Sequence, residues 1–182
     1  MRMNENKEFP NDLKKAIHEQ ALKIKDILIG RGEMMATAES CTGGLIASSI
    51  VNEAGSSAIL KGGIVAYQNE IKAKLLNVPT GILESKGAVS KETVEAMAEG
   101  AQKQFECEWA VSTSGIAGPG GAEPGKPVGT VWMCIAYMQK KEAFCKIFTG
   151  DREQIREKSV YTVFDKLLFL LNNQKSTCTN EH

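Results

Sequence analysis

Strand-like and helix-period segments alternate along this chain, and that alternation admits few architectures. Asp12 to Gly30 carries Leu13, Ile17, Ala21, Ile24 and Leu28 at helical spacing. Asn11 or Asp12 can cap its start, and Gly30 and Gly32 can end it. Met34–Glu39 reads as a short strand, after which Ser40-Cys41-Thr42-Gly43-Gly44 turns into an apolar helix, Leu45–Asn52. Ile59–Tyr67 reads as a strand broken by Gly62-Gly63, where a bulge or a close backbone approach is expected. Asn69 can cap a short helix, Glu70–Leu76, and Pro79–Gly87 forms a connector with at most one helical turn. A long helix then starts at Ser90, with Val94, Met97, Ala98, Ala101 and Phe105 on one face, before a strand at Trp109–Thr113. Two further strands, Gly129–Tyr137 and Ala143–Phe148, are split by Gln139-Lys140-Lys141. The last helix runs from near Asp151 to about Leu171, with Ile155, Val160, Val163, Phe164, Leu167 and Leu171 toward the core.

Helices that interleave with strands cover both faces of a sheet. The expected fold class is therefore α/β: a single three-layer α/β/α domain. Its sheet should be mixed, because the last two strands sit close enough for a hairpin. The 182 residues suit one domain spanning the chain, with a core of about residues 11–172 and polar, fraying termini.

Composition removes several function classes. The chain has 22 Lys plus Arg against 22 Asp plus Glu, a net charge of zero. Nucleic-acid and membrane-surface binders usually carry a basic excess, so neither partner is expected. The N-terminal MRMNENKEFPNDLKK lacks the apolar stretch of a signal peptide, and no apolar run approaches the ~20 residues of a membrane-spanning helix. Cys41, Cys107, Cys134, Cys145 and Cys178 are odd in number, scattered and free of metal-ligand spacing. Reduced thiols in a cytoplasmic protein, with no structural metal, are the expectation. Of the two histidines, His18 lies within a helical pattern, as a surface residue, and His182 is terminal. Chemistry that needs a histidine base or several histidine ligands is thereby disfavoured. A base, if there is one, should be Lys, Glu, Asp or Tyr.

Three loops can carry chemistry, and all follow strands. In Glu39-Ser40-Cys41-Thr42-Gly43-Gly44, a hydroxyl at a strand-to-helix turn sits beside backbone N–H groups that suit an oxyanion or a phosphate. Ser40 and Thr42 can equally serve only as helix caps. In Tyr67-Gln68-Asn69-Glu70-Ile71-Lys72, a lysine near a helix N-terminus can act as a general base, or be a solvated surface residue beside Lys74. The stretch Ser112–Gly121 can form an anion-binding concavity or merely a tight connector. Arg152 can clamp a phosphate or carboxylate, or pair with Asp151 or Glu153.

Read together, the loops resemble a known family. Thr37-Ala38-Glu39-Ser40-Cys41-Thr42-Gly43-Gly44 resembles the signature of the CinA C-terminal domain family. The likeness extends through Gly55-Ser56-Ser57, Gly62–Tyr67, Asn69–Lys72, Gly87–Ser90, Ser114–Gly121, Lys126–Trp132 and Gly150-Asp151-Arg152. It covers about Lys14 to Leu171. Larger members carry a further N-terminal domain, for which this chain is too short. Stand-alone members of that family are nicotinamide mononucleotide deamidases. The resemblance implies an amidohydrolase that converts nicotinamide mononucleotide and water to nicotinic acid mononucleotide and ammonia, in pyridine nucleotide recycling, without a cofactor.

It further implies a Ser/Lys mechanism, with Ser40 as nucleophile, Lys72 as the lysine that activates it, and Tyr67, Ser114 and Arg152 as supporting polar residues. Many members have Thr in place of Ser114. Backbone groups around Cys41, Thr42, Gly43 and Gly44 would hold the oxyanion, with the glycine loop (Gly115, Gly118) and Arg152 at the substrate phosphate. A homo-oligomer is expected from the resemblance and the apolar helix faces. Two alternatives stand beside this reading. Cys41 is the nucleophile with Glu39 and a lysine, in the manner of nitrilase-like amidases, or the chain is a non-catalytic nucleotide-binding or regulatory module.

Overall fold

The computed structural model describes residues 8–174. The elements in chain order are α1 (Leu13–Arg31), β1 (Met35–Glu39), α2 (Leu45–Val51), β2 (Leu60–Val65), α3 (Asn69–Leu76), α4 (Thr80–Ser85), α5 (Lys91–Phe105), β3 (Trp109–Gly115), β4 (Thr130–Tyr137), β5 (Lys140–Ile147) and α6 (Arg152–Asn173). A short 3-10 turn, Ser56–Ala58, leads into β2. The five strands form one mixed sheet in the order β2-β1-β3-β4-β5. β1 pairs in parallel with both β2 and β3, whereas β4 and β5 add as antiparallel strands.

Strand alternation divides the core into two. Met35, Trp109, Val111, Val131, Met133 and Ile135 point to one face and pack with Ile24 and Leu28 of α1, Ile46 and Ile50 of α2, and Phe164 and Leu167 of α6. The residues between them, Ala36, Ala38, Ala110, Cys134 and Ala136, point to the other face, against Val94, Met97, Ala98 and Ala101 of α5 and Leu76 of α3. That second face is nearly all alanine, so α5 lies close to the sheet. Three layers result, as expected. Each wholly buried Leu or Ile contributes about 1.5–3 kcal/mol.

The helix ends follow local chemistry. Asp12 accepts the Lys15 N–H at 2.9 Å and caps α1, and Gly32 closes it in the left-handed conformation. Asp151 and Gln154 form a reciprocal capping box at the start of α6. In β2 the register slips by one residue between Met35 and Ala36, beside Gly62-Gly63. A Cβ on Gly62 would meet the Phe105 ring at 2.5 Å, and one on Gly63 would meet Thr37 Oγ1 at 2.4 Å. Both the bulge and the close approach expected there are present.

Several boundaries differ from expectation. Asn69 is the first residue of α3 and Gln68 occupies the cap position without a side-chain bond. The Pro79–Gly87 connector holds a six-residue helix, more than one turn. Lys140 and Lys141 belong to β5, pairing with Tyr137 and Ala136, so the hairpin turns on Met138-Gln139 alone and ends at Ile147. Charged side chains mimic a turn in the sequence, but an edge strand keeps them in water. Among the described residues no helix is long and apolar enough to cross a membrane. The tail from Lys175, with Cys178 and His182, lies outside the described residues.

Candidate active site

Parallel pairing places the candidate loops side by side. Glu39 lies opposite Val65 on β2 and Thr113 on β3, so the residues that follow each strand emerge at one edge of the sheet. These are Ser40 and Ala66-Tyr67, beside Ser114 near the end of β3. The C-terminal edge of parallel strands is where open α/β sheets hold their ligands.

The turn after β1 is tightly wound. The Ser40 N–H donates to the Thr113 carbonyl at 2.9 Å, and the Gly43 N–H donates back to the Ser40 carbonyl at 3.1 Å. Gly43 and Gly44 have φ of 61° and 91°, a left-handed path that favours glycine. Neither Ser40 nor Thr42 caps α2, because its cap residue is Gly44, with no side-chain bond. The Thr42 hydroxyl instead bonds that of Thr113 at 2.7 Å, and Arg156 donates to the Thr42 carbonyl through Nε at 3.2 Å and a terminal nitrogen at 2.7 Å.

Lys72 is not a solvated surface residue. It is 1% exposed, and its Nζ lies 3.1 Å from Ser40 Oγ, 2.8 Å from the Ala66 carbonyl oxygen and 3.0 Å from that of Tyr67. Burial penalises the ammonium and lowers the pKa of Lys72 from the ordinary 10.5. With the amine neutral, its two hydrogens match the two carbonyls and its lone pair is left for the Ser40 hydroxyl. Ser40 itself is 8% exposed and lines a cleft.

That cleft has a volume of about 280 Å³ and is lined by Ser40, Cys41, Tyr67, Lys72, Ser114 and Arg152 among others. Arg152, at the start of α6, donates to the Gly118 carbonyl at 2.7 Å and to the Tyr67 hydroxyl at 3.0 Å, so it does not pair with Asp151 or Glu153. Gly115 and Gly118 line the cleft. Thr42, Gly43 and Gly44 do not. The Gly43 N–H is already bonded, and a Cβ on Gly43 or Gly44 would face Arg156 or Val65. Cys41 reaches the cleft wall, but burial pushes its thiol up to about 12. His18 stays outside the cleft, its Nδ1 2.6 Å from Glu53 Oε1.

The apolar side of the cleft is formed by Ile116 and Ala117 of the glycine loop and by Ala88 and Val89, to which no chemical role was assigned from sequence. Ser90 caps α5 through the Thr93 N–H, and Gly87 takes a φ of 78°, which turns Ala88-Val89 toward the cleft. A larger hollow of about 400 Å³ lies between α4 and α5, where Glu99 pairs with Lys103 at 2.6 Å and Lys141 at 2.5 Å. It contains no hydroxyl or thiol nucleophile.

Comparison with known proteins identifies the family. Residues 17–171 match the model of the CinA C-terminal domain. A CinA-like protein of Petrotoga mobilis is 38% identical, over 96% of this chain and 46% of that protein. One of Anaeromyxobacter dehalogenans is 42% identical, over 79% of this chain and 35% of that protein. The chain thus spans less than half the length of these relatives. Among solved structures, the competence damage-inducible protein A of Klebsiella pneumoniae superposes with a TM-score of 0.85 at 33% identity, covering 87% of this chain and 99% of that one. The competence/damage inducible protein CihA of Agrobacterium tumefaciens gives 0.83 at 38% identity, covering 91% and 99%. This chain belongs to the CinA C-terminal domain family.

Proposed function

We propose that the protein is an amidohydrolase that deamidates nicotinamide mononucleotide by a Ser/Lys mechanism. One observation carries the reading: a buried amine, held by two carbonyls, faces the hydroxyl of Ser40 at 3.1 Å. Neutral Lys72 removes the Ser40 proton as Oγ bonds to the carboxamide carbon. The Ser114 hydroxyl and the Cys41 backbone N–H, which line the same cleft, serve as donors to the oxyanion. The carbon–nitrogen bond breaks, and the leaving nitrogen takes the proton from Lys72 and departs as ammonia. Water then attacks the acyl-enzyme and gives its proton to Lys72. Ser40 leaves with that proton, and the carboxylic acid product then gives its own proton to solvent and departs as a carboxylate.

The cleft suits the rest of this substrate. Ala88, Val89, Ile116 and Ala117 offer an apolar wall to a flat pyridine ring, and Arg152 at the mouth offers its guanidinium to a phosphate. Cys41 is a poor alternative nucleophile, since a thiol pushed up to about 12 holds almost no thiolate near neutral pH.

The test is ammonia release from nicotinamide mononucleotide by the purified protein and by Ser40→Ala and Cys41→Ala. Wild type and Cys41→Ala should release ammonia and Ser40→Ala should not. Activity surviving Ser40→Ala but lost with Cys41→Ala would make Cys41 the nucleophile. Binding of the nucleotide without turnover would leave a binding module.

A further inference from the structure

We propose that Glu39 is a positioning residue for the nucleophile, acting from behind the cleft by anchoring both ends of the turn that presents Ser40 to Lys72. The inference rests on the Ser40/Lys72 reading above.

Glu39 is fully buried and takes no part in the cleft lining. As the last residue of β1 it points to the α2 face of the sheet, opposite in direction to Ser40 and Lys72. Its two carboxylate oxygens accept separate backbone hydrogens, Oε2 from Ile46 at 3.0 Å and Oε1 from Ala47 at 2.9 Å. Those are the second and third residues of α2, the N–H groups that a cap side chain normally satisfies. Gly44 cannot satisfy them. Its φ of 91° is required by the turn and excludes the usual capping side chains. Glu39 therefore caps α2 from the far end of the loop and fastens Ser40–Gly44 at entry and exit alike.

The main chain of Glu39 extends the same anchorage to the base. Its carbonyl accepts the Ala66 N–H at 2.8 Å, and the Ala66 carbonyl in turn accepts from Lys72 Nζ at 2.8 Å. One residue thus bonds to the helix after the nucleophile and to the segment that holds the amine. Among the described residues no Lys or Arg forms an ion pair with Glu39. A buried carboxylate without a cation is costly, and capping a seven-residue helix alone does not require one. Two charge-assisted N–H bonds, stronger than neutral ones, give the stiffness that a reacting pair needs.

The test compares wild type, Glu39→Gln and Glu39→Asp for kcat and KM of ammonia release, for the rate at which a fluorophosphonate modifies Ser40 (read by mass spectrometry) and for Tm. Gln preserves shape but turns an N–H donor toward a backbone N–H. Glu39→Gln should lower kcat and the phosphonylation rate together, by roughly 10- to 100-fold, with KM within about twofold. Glu39→Asp, which keeps the acceptor charge, should recover part of both. Wild-type rates in Glu39→Gln would overturn the proposal. So would failure of both variants to fold, or a lower Tm with unchanged kcat, since each indicates structure alone. If wild-type Ser40 is phosphonylated but no ammonia is released, the substrate reading fails and the phosphonylation rates still decide on Glu39. If wild-type Ser40 is inert in both assays, the nucleophile and this inference fall together.

Discussion

Arg152 and Tyr67 meet at the mouth of the cleft, the guanidinium donating to the phenol oxygen at 3.0 Å. A guanidinium has no acceptor, so the phenol must accept, and its own hydrogen stays available to a substrate. The same guanidinium donates to the Gly118 carbonyl, joining the turn after β2 to the glycine loop. Lys can place a charge there but cannot bridge both oxygens in one plane. Arg152→Lys should therefore raise KM for nicotinamide mononucleotide. Combined with Tyr67→Phe, a double-mutant cycle in kcat/KM should show coupling of about 1 kcal/mol. Strict additivity would mean that the two side chains act separately.

Burial lowers the pKa of Lys72, so the neutral amine is present over a wider range of pH than in a solvated lysine. The rate kcat/KM should rise with pH and level off at an apparent pKa below 10.5. Lys72→Arg, which cannot deprotonate in the working range, should lose about 10²- to 10⁴-fold in kcat. A flat profile for wild type would exclude Lys72 as the base.

The same shift has a stability signature. Between the folded pKa of Lys72 and the ordinary 10.5, the unfolded chain holds one more proton at this site than the folded protein does. Stability must rise with pH across that window and contribute no slope on either side of it. Urea midpoints measured for wild type and Lys72→Met should diverge in favour of wild type as pH increases through it. Parallel curves would show that Lys72 is not desolvated in the folded protein.

Cys41 offers a negative control. Its thiol is 6% exposed and pushed up to about 12. N-ethylmaleimide at pH 8 should leave Cys41 unmodified in the folded protein, by peptide mapping, and Cys41→Ser should keep most of the activity. Rapid alkylation with parallel loss of activity would restore the thiol as a candidate nucleophile.

Two glycines separate packing from propensity. A Cβ on Gly100 of α5 would sit 2.0 Å from the Leu76 carbonyl oxygen, at the end of the helix that carries Lys72. Gly100→Ala should cost about 1–3 kcal/mol in denaturant unfolding and reduce activity by displacing α3. Gly30 of α1 has nothing within 4 Å, and Gly30→Ala should gain up to about 1 kcal/mol from helix propensity.

Much of the fold was legible because its signals are local. Asp12, Gly32 and Asp151 mark helix ends through bonds made within a turn. β5 was harder, since Lys140 and Lys141 read as a turn until the edge of the sheet is known. In the site, Ser40, Lys72 and Arg152 were candidates by residue type, whereas Tyr67 and Ser114 entered through the family resemblance, and the fold brings all five to one cleft. What the chain could not reveal was burial. Lys72 has Glu70 and Lys74 as polar neighbours, and only the approach of α3 to the sheet hides it. The glycines at 43 and 44 suggested anion binding because their backbone is bare, whereas the turn uses that freedom for its own closure. Ala88 and Val89 lie in the Gly87–Ser90 stretch of the family likeness but carry no reactive group, so their place in an apolar wall shows only in the fold.

The carbonyls of Ala66 and Tyr67 stand where water molecules would surround a free amine. They belong to the strand end and turn from which α3 departs, so they cannot rotate away as solvent does. A proton arriving on Lys72 finds its shell already oriented, and one leaving disperses nothing. In the proposed mechanism the protein would thereby avoid the solvent rearrangement that slows proton transfer between amines and alcohols in bulk water. The dyad should accordingly respond little to solvent viscosity, unlike the entry and departure of its substrate.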